Sequence, residues 1–164
     1  MSVAIFPGSF DPITKGHVDI INQAAAIFDK VYVVVMINTA KKYLFTNEER
    51  EDLINDAVKD LKNVQVLLKP NQLTVNVARD LGANTIVRGV RNTTDFLFEQ
   101  QIAEMNKKMA SDISTVLLFT EPENSFVASS IIKEIAQFNG DFASFLPTKA
   151  AQALKEKIGY NKHE

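Results

Sequence analysis

One α/β domain built on a doubly wound, parallel five-stranded sheet with helices on both faces is the fold this sequence predicts, and three observations predict it. Five short β-branched runs alternate with longer segments of helical period. Those runs are nearly uninterrupted in apolar character, which suits parallel strands covered on both faces; a half-exposed strand would alternate apolar with polar residues. The connections are short, and parallel neighbours joined through helices need right-handed crossovers, which gives the order βαβαβαβαβ.

The first strand is expected at residues 3–6, ahead of a helix over 17–28. Residues 31–37, with four valines, form the second strand. A helix over 47–59 follows, its start marked by Thr46-Asn47-Glu48-Glu49, a capping box in which the Thr46 hydroxyl accepts from first-turn amides and Glu49 reaches back. The third strand is expected at 64–68 with a short helix at 75–81, and the fourth at 85–87 with a helix at 95–109. Residues 115–119 complete the sheet, and helices over 130–138 and 149–158 come after it. No repeat, low-complexity tract or Pro/Ser-rich linker divides the chain, so residues 1–164 are expected to form one domain, with 159–164 a polar tail.

A chain of 164 residues buries roughly 70% of the surface its unfolded form exposes, enough for a core without staples. It has no Cys, which removes disulfides, thiolate zinc sites, iron–sulfur clusters and cysteine nucleophiles together and fits a reducing compartment. Eighteen Lys plus Arg against twenty Asp plus Glu give a net charge of −2, which argues against a general nucleic-acid or anionic-membrane surface. Any basic site is therefore local. No stretch approaches the ~20 apolar residues of a membrane span, and the first six residues lack a leader pattern, so a cytoplasmic location is expected. Of the two histidines, His163 lies in the polar tail, leaving His17 with no His partner at metal-site spacing.

In a doubly wound sheet, ligands bind beyond the carboxyl ends of the strands, where strand order reverses, so the loops after strands are where chemistry is expected. Pro7-Gly8-Ser9-Phe10-Asp11-Pro12-Ile13-Thr14-Lys15-Gly16-His17 follows the first strand and holds two of the five Pro and two of the six Gly. Proline stiffens such a turn, and glycine permits close backbone approach. Helix N-terminal amides favour an anion, phosphate above all, and His17 on the first turn would enter the same space. The plainer reading is a strand-to-helix connection, with Asp11 and Thr14 as caps and His17 satisfied by a carbonyl. The loop is neither the Gly-x-Gly-x-x-Gly fingerprint nor the Gly-x4-Gly-Lys-Ser/Thr P-loop.

Three more clusters stand at strand ends. Asn38-Thr39-Ala40-Lys41-Lys42 sets two cations after the second strand, as a solvated turn or an anion contact. The fourth strand ends in Arg88-Gly89-Val90-Arg91, where guanidinium forks suit phosphate oxygens and the glycine admits a close ligand; a surface salt-bridge pair is the alternative. In the next helix, Phe98, Ile102, Met105 and Met109 make an apolar stripe for core or subunit interface, with Glu99 beside it and open to solvation. After the fifth strand, Ser129 or Ser130 opens a helix, so hydroxyls and free amides again converge on a potential anion site, the alternative being an ordinary serine cap.

Thr14-Lys15-Gly16-His17 resembles the Thr/His-x-Gly-His signature of the nucleotidyltransferase superfamily, and Pro7-Gly8-Ser9-Phe10-Asp11-Pro12 resembles the bacterial phosphopantetheine adenylyltransferase family within it. The second signature of the superfamily, Ile-Ser-Ser-Thr-x-Ile-Arg, is matched more loosely, with Ala128 at its first serine and Lys133 at its arginine. The resemblance runs from Ile5 to about Ala153. It implies a Rossmann-like nucleotidyltransferase fold and reversible transfer of the adenylyl group of ATP to 4′-phosphopantetheine, giving dephospho-coenzyme A and pyrophosphate in coenzyme A biosynthesis.

The same resemblance implies residue roles. His17 stabilises the transition state, joined as catalytic residues by Lys41 and Arg91; Lys41 and Arg88 hold the acceptor phosphate, with Ser9 and Thr74 as further acceptor contacts. ATP is met by Ser9, Phe10 and His17, by Gly89, Val90 and Arg91, by Glu99 through ribose hydroxyls, and by Asn124, Ser125, Phe126, Val127, Ala128, Ser129 and Ser130. Mg²⁺ is implied on the ATP phosphates, since no carboxylate cluster suggests a protein-held cage. A homohexamer and feedback binding of coenzyme A are implied as well. Two other readings stay open: a sister enzyme acting on nicotinamide mononucleotide or a polyol phosphate, and a nucleotide sensor or receiver module without turnover. A receiver needs an acidic cluster after its first strand, where this chain has only Asp11 among Pro and Phe.

Overall fold

The computed structural model describes residues 1–159. Its strands are β1 (Val3–Gly8), β2 (Lys30–Ile37), β3 (Val64–Pro70), β4 (Thr85–Val90) and β5 (Ser114–Phe119). Its helices are α1 (Lys15–Ile27), α2 (Asn47–Ala57), α3 (Thr74–Asp80), α4 (Thr93–Met109), α5 (Ser129–Gln137) and α6 (Thr148–Ile158), with 3₁₀ turns at Pro122–Asn124 and Ala143–Phe145. All neighbouring strands pair in parallel, in the order β3-β2-β1-β4-β5. The chain winds outward through β2 and β3, then crosses back to β4 beside β1. The reversal therefore falls between β1 and β4, and the loops leaving those two strands open onto one crevice.

Side chains alternate along each strand, so the sheet supports two cores. Ile5, Val34 and Ile86 pack with Val75, Ala78 and Ile113 on one face. Phe6, Val33, Val35 and Val87 pack with Ile20, Ile54, Phe142 and Leu154 on the other. Both faces being covered explains why the runs read as uninterrupted apolar sequence.

Several boundaries differ from the sequence reading, for identifiable reasons. The ladder continues past the apolar runs, pairing Gly8 with Val35 and Arg88 with Leu117, because backbone hydrogen bonding sets where a strand ends. Arg88 and Gly89 thus belong to β4. A β-carbon on Gly89 would lie 3.0 Å from Cγ1 of Ile20, so the glycine is what allows α1 to lie this close. The capping box at Thr46 and Glu49 forms as expected, with Glu49 N–H to Thr46 Oγ1 at 3.1 Å and Thr46 N–H to Glu49 Oε2 at 2.8 Å.

Ser129 opens α5 as its first helical residue, but the alternative of a serine cap does not hold: the cap position is Ala128, in extended conformation. Of the two readings of the α4 stripe, core is excluded and subunit interface is left, since Phe98 is 58% exposed and Met105 58%, while the same helix buries Glu99 and Asn106. Gly159, in the left-handed conformation at φ +63°, ends α6; the remainder of the predicted polar tail lies outside the described residues. Among the described residues no helix is long and apolar enough to cross a membrane.

Candidate active site

The loop from β1 to α1 is closed on itself by Thr14 and His17. Thr14 caps α1, and in the reciprocal bond its N–H donates to Nδ1 of His17 at 3.0 Å, with the Thr14 hydroxyl 3.1 Å from the same nitrogen. The carbonyl partner considered for His17 is thus replaced by a backbone donor. A ring nitrogen that accepts an N–H carries no proton, so the neutral imidazole holds its proton on Nε2. Burial first, then the charges of Arg91 and Arg88, push the pKa of His17 down from 6.5 to about 4. The ring packs edge-on against Phe10, with centroids 5.0 Å apart, and lies 6.4 Å from that of Phe6.

Phe10 turns the loop through φ +49°, a conformation that non-glycine residues rarely adopt. Its ring comes so close beneath Gly8 that a β-carbon there would stand 3.0 Å from Cε2 and Cζ. Asp11 is no helix cap. Its buried carboxylate accepts from the N–H groups of Leu44 and Phe45, both at 2.9 Å, and pairs with Lys133 at 2.9 Å, tying the loop to the start of α2 and to α5.

A cleft of about 300 Å³ opens at the crevice, lined by Ser9, Phe10, His17, Arg88, Gly89, Arg91, Glu99, Val127, Ala128 and Ser129. Arg88 and Glu99 form a bidentate pair, Nε to Oε2 at 2.8 Å and Nη2 to Oε1 at 2.7 Å, and Nη1 of Arg88 donates to the Pro7 carbonyl at 2.9 Å. Glu99 is therefore not solvated; it is buried against the arginine of the neighbouring strand. Arg91 is held in the same way, donating to Asp95 through Nε at 2.9 Å and Nη2 at 3.2 Å and to the Val127 carbonyl at 3.3 Å. Burial alone would raise the pKa of Asp95, but hydrogen bonds and charge from Arg91 prevail and hold it below the usual carboxylate range. A guanidinium has five N–H donors, so each arginine keeps two for a ligand.

On the far side of Ser9, Phe10 and His17 lies a second cleft, of about 360 Å³, lined also by Lys41, Lys42, Tyr43, Ser129 and Lys133. Lys41 sits on a turn built by Asn38, which accepts from the N–H groups of Ala40 at 3.0 Å and Lys41 at 3.1 Å. Among the described residues neither Lys41 nor Lys42 has a carboxylate partner. The two clefts share His17 and Ser129, whose hydroxyl donates to the Pro12 carbonyl at 2.8 Å. A chain of net charge −2 thus sets five of its eighteen Lys and Arg, namely Lys41, Lys42, Arg88, Arg91 and Lys133, along these two clefts.

Not every predicted residue reaches these clefts. Thr74 stands at the start of α3, after the edge strand β3, and Ser130 is exposed on α5. The Asn124 side of the last segment lines a shallow depression with Lys15 and Asp19. Ser125 bonds the Pro122 carbonyl at 2.8 Å, Phe126 packs edge-on against Phe145, and Val90 turns its side chain into the protein. A larger depression of about 490 Å³ between α2 and α6 is lined by the Lys149–Asp52 and Lys157–Glu49 pairs and by none of the strand-end cations. Two residues that the sequence reading passed over lie at the site: Thr120, whose buried hydroxyl has no partner among the described residues, lines the first cleft, and Arg50 lies beneath Ser9.

Comparison with known proteins bears on this geometry. The cytidylyltransferase-like family model matches residues 5–135, a span that includes His17, Lys41, Arg88, Arg91, Ser129 and Ser130. Phosphopantetheine adenylyltransferase of Lactobacillus acidophilus is 61% identical over 158 residues, covering 96% of this chain and 98% of its own length. Its counterpart in Lactobacillus helveticus is 58% identical, covering 97% of each chain, and that of Clostridium perfringens 45% identical, covering 96% of each. A solved structure from Vibrio parahaemolyticus, described as a candidate nicotinate-nucleotide adenylyltransferase, shares the fold with a TM-score of 0.71 at 19% identity, over 99% of this chain and 98% of that one.

Proposed function

The chain belongs to the phosphopantetheine adenylyltransferase family of cytidylyltransferase-like proteins and catalyses adenylyl transfer to 4′-phosphopantetheine in coenzyme A biosynthesis, and from this we propose that the His17 cleft is where ATP gives up the adenylyl group. A phosphate oxygen of 4′-phosphopantetheine attacks the α-phosphorus of ATP in line. The bond from that phosphorus to the oxygen bridging to the β-phosphate breaks, releasing pyrophosphate and dephospho-coenzyme A. The attacking group is already anionic, so no general base is needed and no covalent enzyme intermediate forms. Catalysis rests on positioning and on stabilising charge.

The protonation of His17 supports this assignment. With Nδ1 filled by the Thr14 N–H and the ring held neutral, Nε2–H remains as a donor for an α-phosphoryl oxygen as its charge develops. Lys41 and Arg88 take the acceptor phosphate from the two sides of Ser9; Thr74, outside both clefts at the start of α3, would meet only the far end of the pantetheine arm. Gly89, Arg91 and Ser129 line the cleft and receive the phosphates of ATP, joined by the Val90 backbone; Phe10, Val127 and Ala128 offer backbone groups along the nucleotide, while Asn124, Ser125, Phe126 and Ser130 lie outside the cleft. Each Glu99 oxygen accepts one bond from Arg88 and keeps a lone pair for a ribose hydroxyl.

Mg²⁺ bound to the nucleotide supplies partial neutralisation of its phosphates. The acidic side chains nearest the clefts, Asp11, Glu99 and Asp95, are each committed to a cation of the protein, a donor set that fits a metal carried on the phosphates. The exposed apolar face of α4 fits contacts between copies in a hexamer, and coenzyme A would act as a feedback ligand of the same clefts in the cytoplasm. The deciding experiment follows pyrophosphate release from Mg-ATP with 4′-phosphopantetheine, with nicotinamide mononucleotide, and with no acceptor. Release only with 4′-phosphopantetheine is expected; ATP binding with release indifferent to the acceptor would refute the assignment. Sedimentation as a monomer would remove the hexamer.

A further inference from the structure

We propose that Arg50 is a positioning residue that sets Ser9 and the Lys41 turn at the spacing an acceptor phosphate requires; this rests on the reading that Ser9 and Lys41 receive that phosphate. Arg50 lies in the first turn of α2 and is wholly buried, at 0% exposure. Its Nη1 donates to the Ser9 carbonyl at 2.7 Å, its Nη2 to Asn47 Oδ1 at 2.6 Å, and its guanidinium carbon lies 3.9 Å from the centroid of the Tyr43 ring. Among the described residues it pairs with no carboxylate, and its Nε has no partner. A permanently charged group buried in this way is far costlier than an apolar side chain of the same volume, so packing alone does not explain it.

What its contacts have in common is that they reach two loops. The Ser9 carbonyl and the Phe10 N–H belong to one planar peptide unit and point in opposite directions, so a hold on the first aims the second away from α2. Phe10, at φ +49°, is where the loop is strained and where an external tether has most to do. On the other side, Tyr43 accepts the Asn38 N–H at its hydroxyl, at 3.3 Å, and Asn38 builds the turn that carries Lys41. One flat guanidinium, hydrogen-bonded at its edge and stacked on its face, therefore references both anchors to the same helix. Lysine has neither the fork nor the plane to do so.

The test compares the unaltered protein with Arg50→Lys, which keeps the charge, and Tyr43→Leu, which keeps Arg50 but removes its stacking partner. Initial rates are measured against each substrate, and deuterium uptake is followed in segments 7–12 and 38–45. Arg50→Lys is expected to raise the acceptor KM at least tenfold and Tyr43→Leu at least threefold, with ATP KM within twofold and faster exchange in both segments. Unchanged acceptor KM, or exchange altered in only one segment, overturns the proposal. If Arg50→Lys does not fold, Tyr43→Leu decides by the same two readouts. If the unaltered protein forms no pyrophosphate, it is the functional reading that fails, and the exchange data, which need no turnover, still decide whether Arg50 ties the loops.

Discussion

Acidification is the most direct probe of the His17 environment. Burial, with Arg91 and Arg88, holds the folded imidazole at a pKa of about 4 against an ordinary 6.5. Below pH 6.5 an unfolded chain takes up a proton that the folded chain refuses until it nears pH 4, so stability present above that window is lost as pH falls through it. At about 1.4 kcal/mol per unit, the full effect is about 3 kcal/mol, of which about 2 kcal/mol is lost between pH 7 and pH 5. Water entering the open cleft screens the charged ring and makes this an upper figure. Urea unfolding of the unaltered protein and of His17→Gln at the two pH values should show the former losing about 2 kcal/mol more over that interval. The chain has two histidines, so the imidazole resonance that vanishes in His17→Gln is identified without ambiguity, and it should titrate near pH 4. A midpoint at pH 6 or above, or equal acid sensitivity of the two proteins, would refute the account of a buried neutral imidazole and the donor role built on it.

Four further outcomes are expected. Lys41→Met removes a charged hydrogen-bond donor worth about 1.5–3 kcal/mol, so the acceptor KM should rise about tenfold or more in steady-state rates, with ATP KM little changed. Glu99→Gln leaves Arg88 without its buried anion and should destabilise the fold by about 1–3 kcal/mol while weakening acceptor binding, read by thermal melting and initial rates together. Gly89→Ala forces a β-carbon against Ile20 at 3.0 Å and should cost about 1 kcal/mol in urea unfolding. The paired change Ile20→Val should recover part of that loss. Thr46→Ala breaks one half of the capping box and should cost about 1 kcal/mol by the same assay.

What could be read from the sequence was what is local in it. The apolar runs and the helical segments between them are properties of consecutive residues, and all five strands and six helices lie where those patterns fall. The order β3-β2-β1-β4-β5 is decided by which strands pair, and so are the extra residues that carry Arg88 and Gly89 into β4. In the site, His17 is betrayed by its loop, but the Arg88–Glu99 pair joins a strand to a helix eleven residues on and depends on how α4 is rotated. That rotation runs against the usual amphipathic rule: α4 turns Glu99 inward and leaves Phe98 and Met105 uncovered, so polarity misled where it is normally a guide. Arg91 and Asp95 stand four apart across the start of α4 and could have been paired from spacing. Arg50 was legible too, since it shares a helical face with Leu53, Ile54 and Ala57. At α5 a serine does open the helix, but cap position follows backbone conformation, so Ala128 takes it and the Ser129 hydroxyl turns to the Pro12 carbonyl.

The carboxylates set against Arg88, Arg91 and Lys133 make the resting rim a row of closed dipoles. A dipole's field fades with distance faster than that of a lone charge, so these three cations exert little pull on a polyphosphate still in bulk water. Capture from afar is left to Lys41 and Lys42 at the mouth, with the unpaired Arg50 charge beneath Ser9, and the forks engage only once a ligand has arrived and can use the N–H groups the carboxylates leave over. The rate of encounter should then depend on ionic strength as for these unpaired cations, whatever the larger number of basic groups lining the cleft.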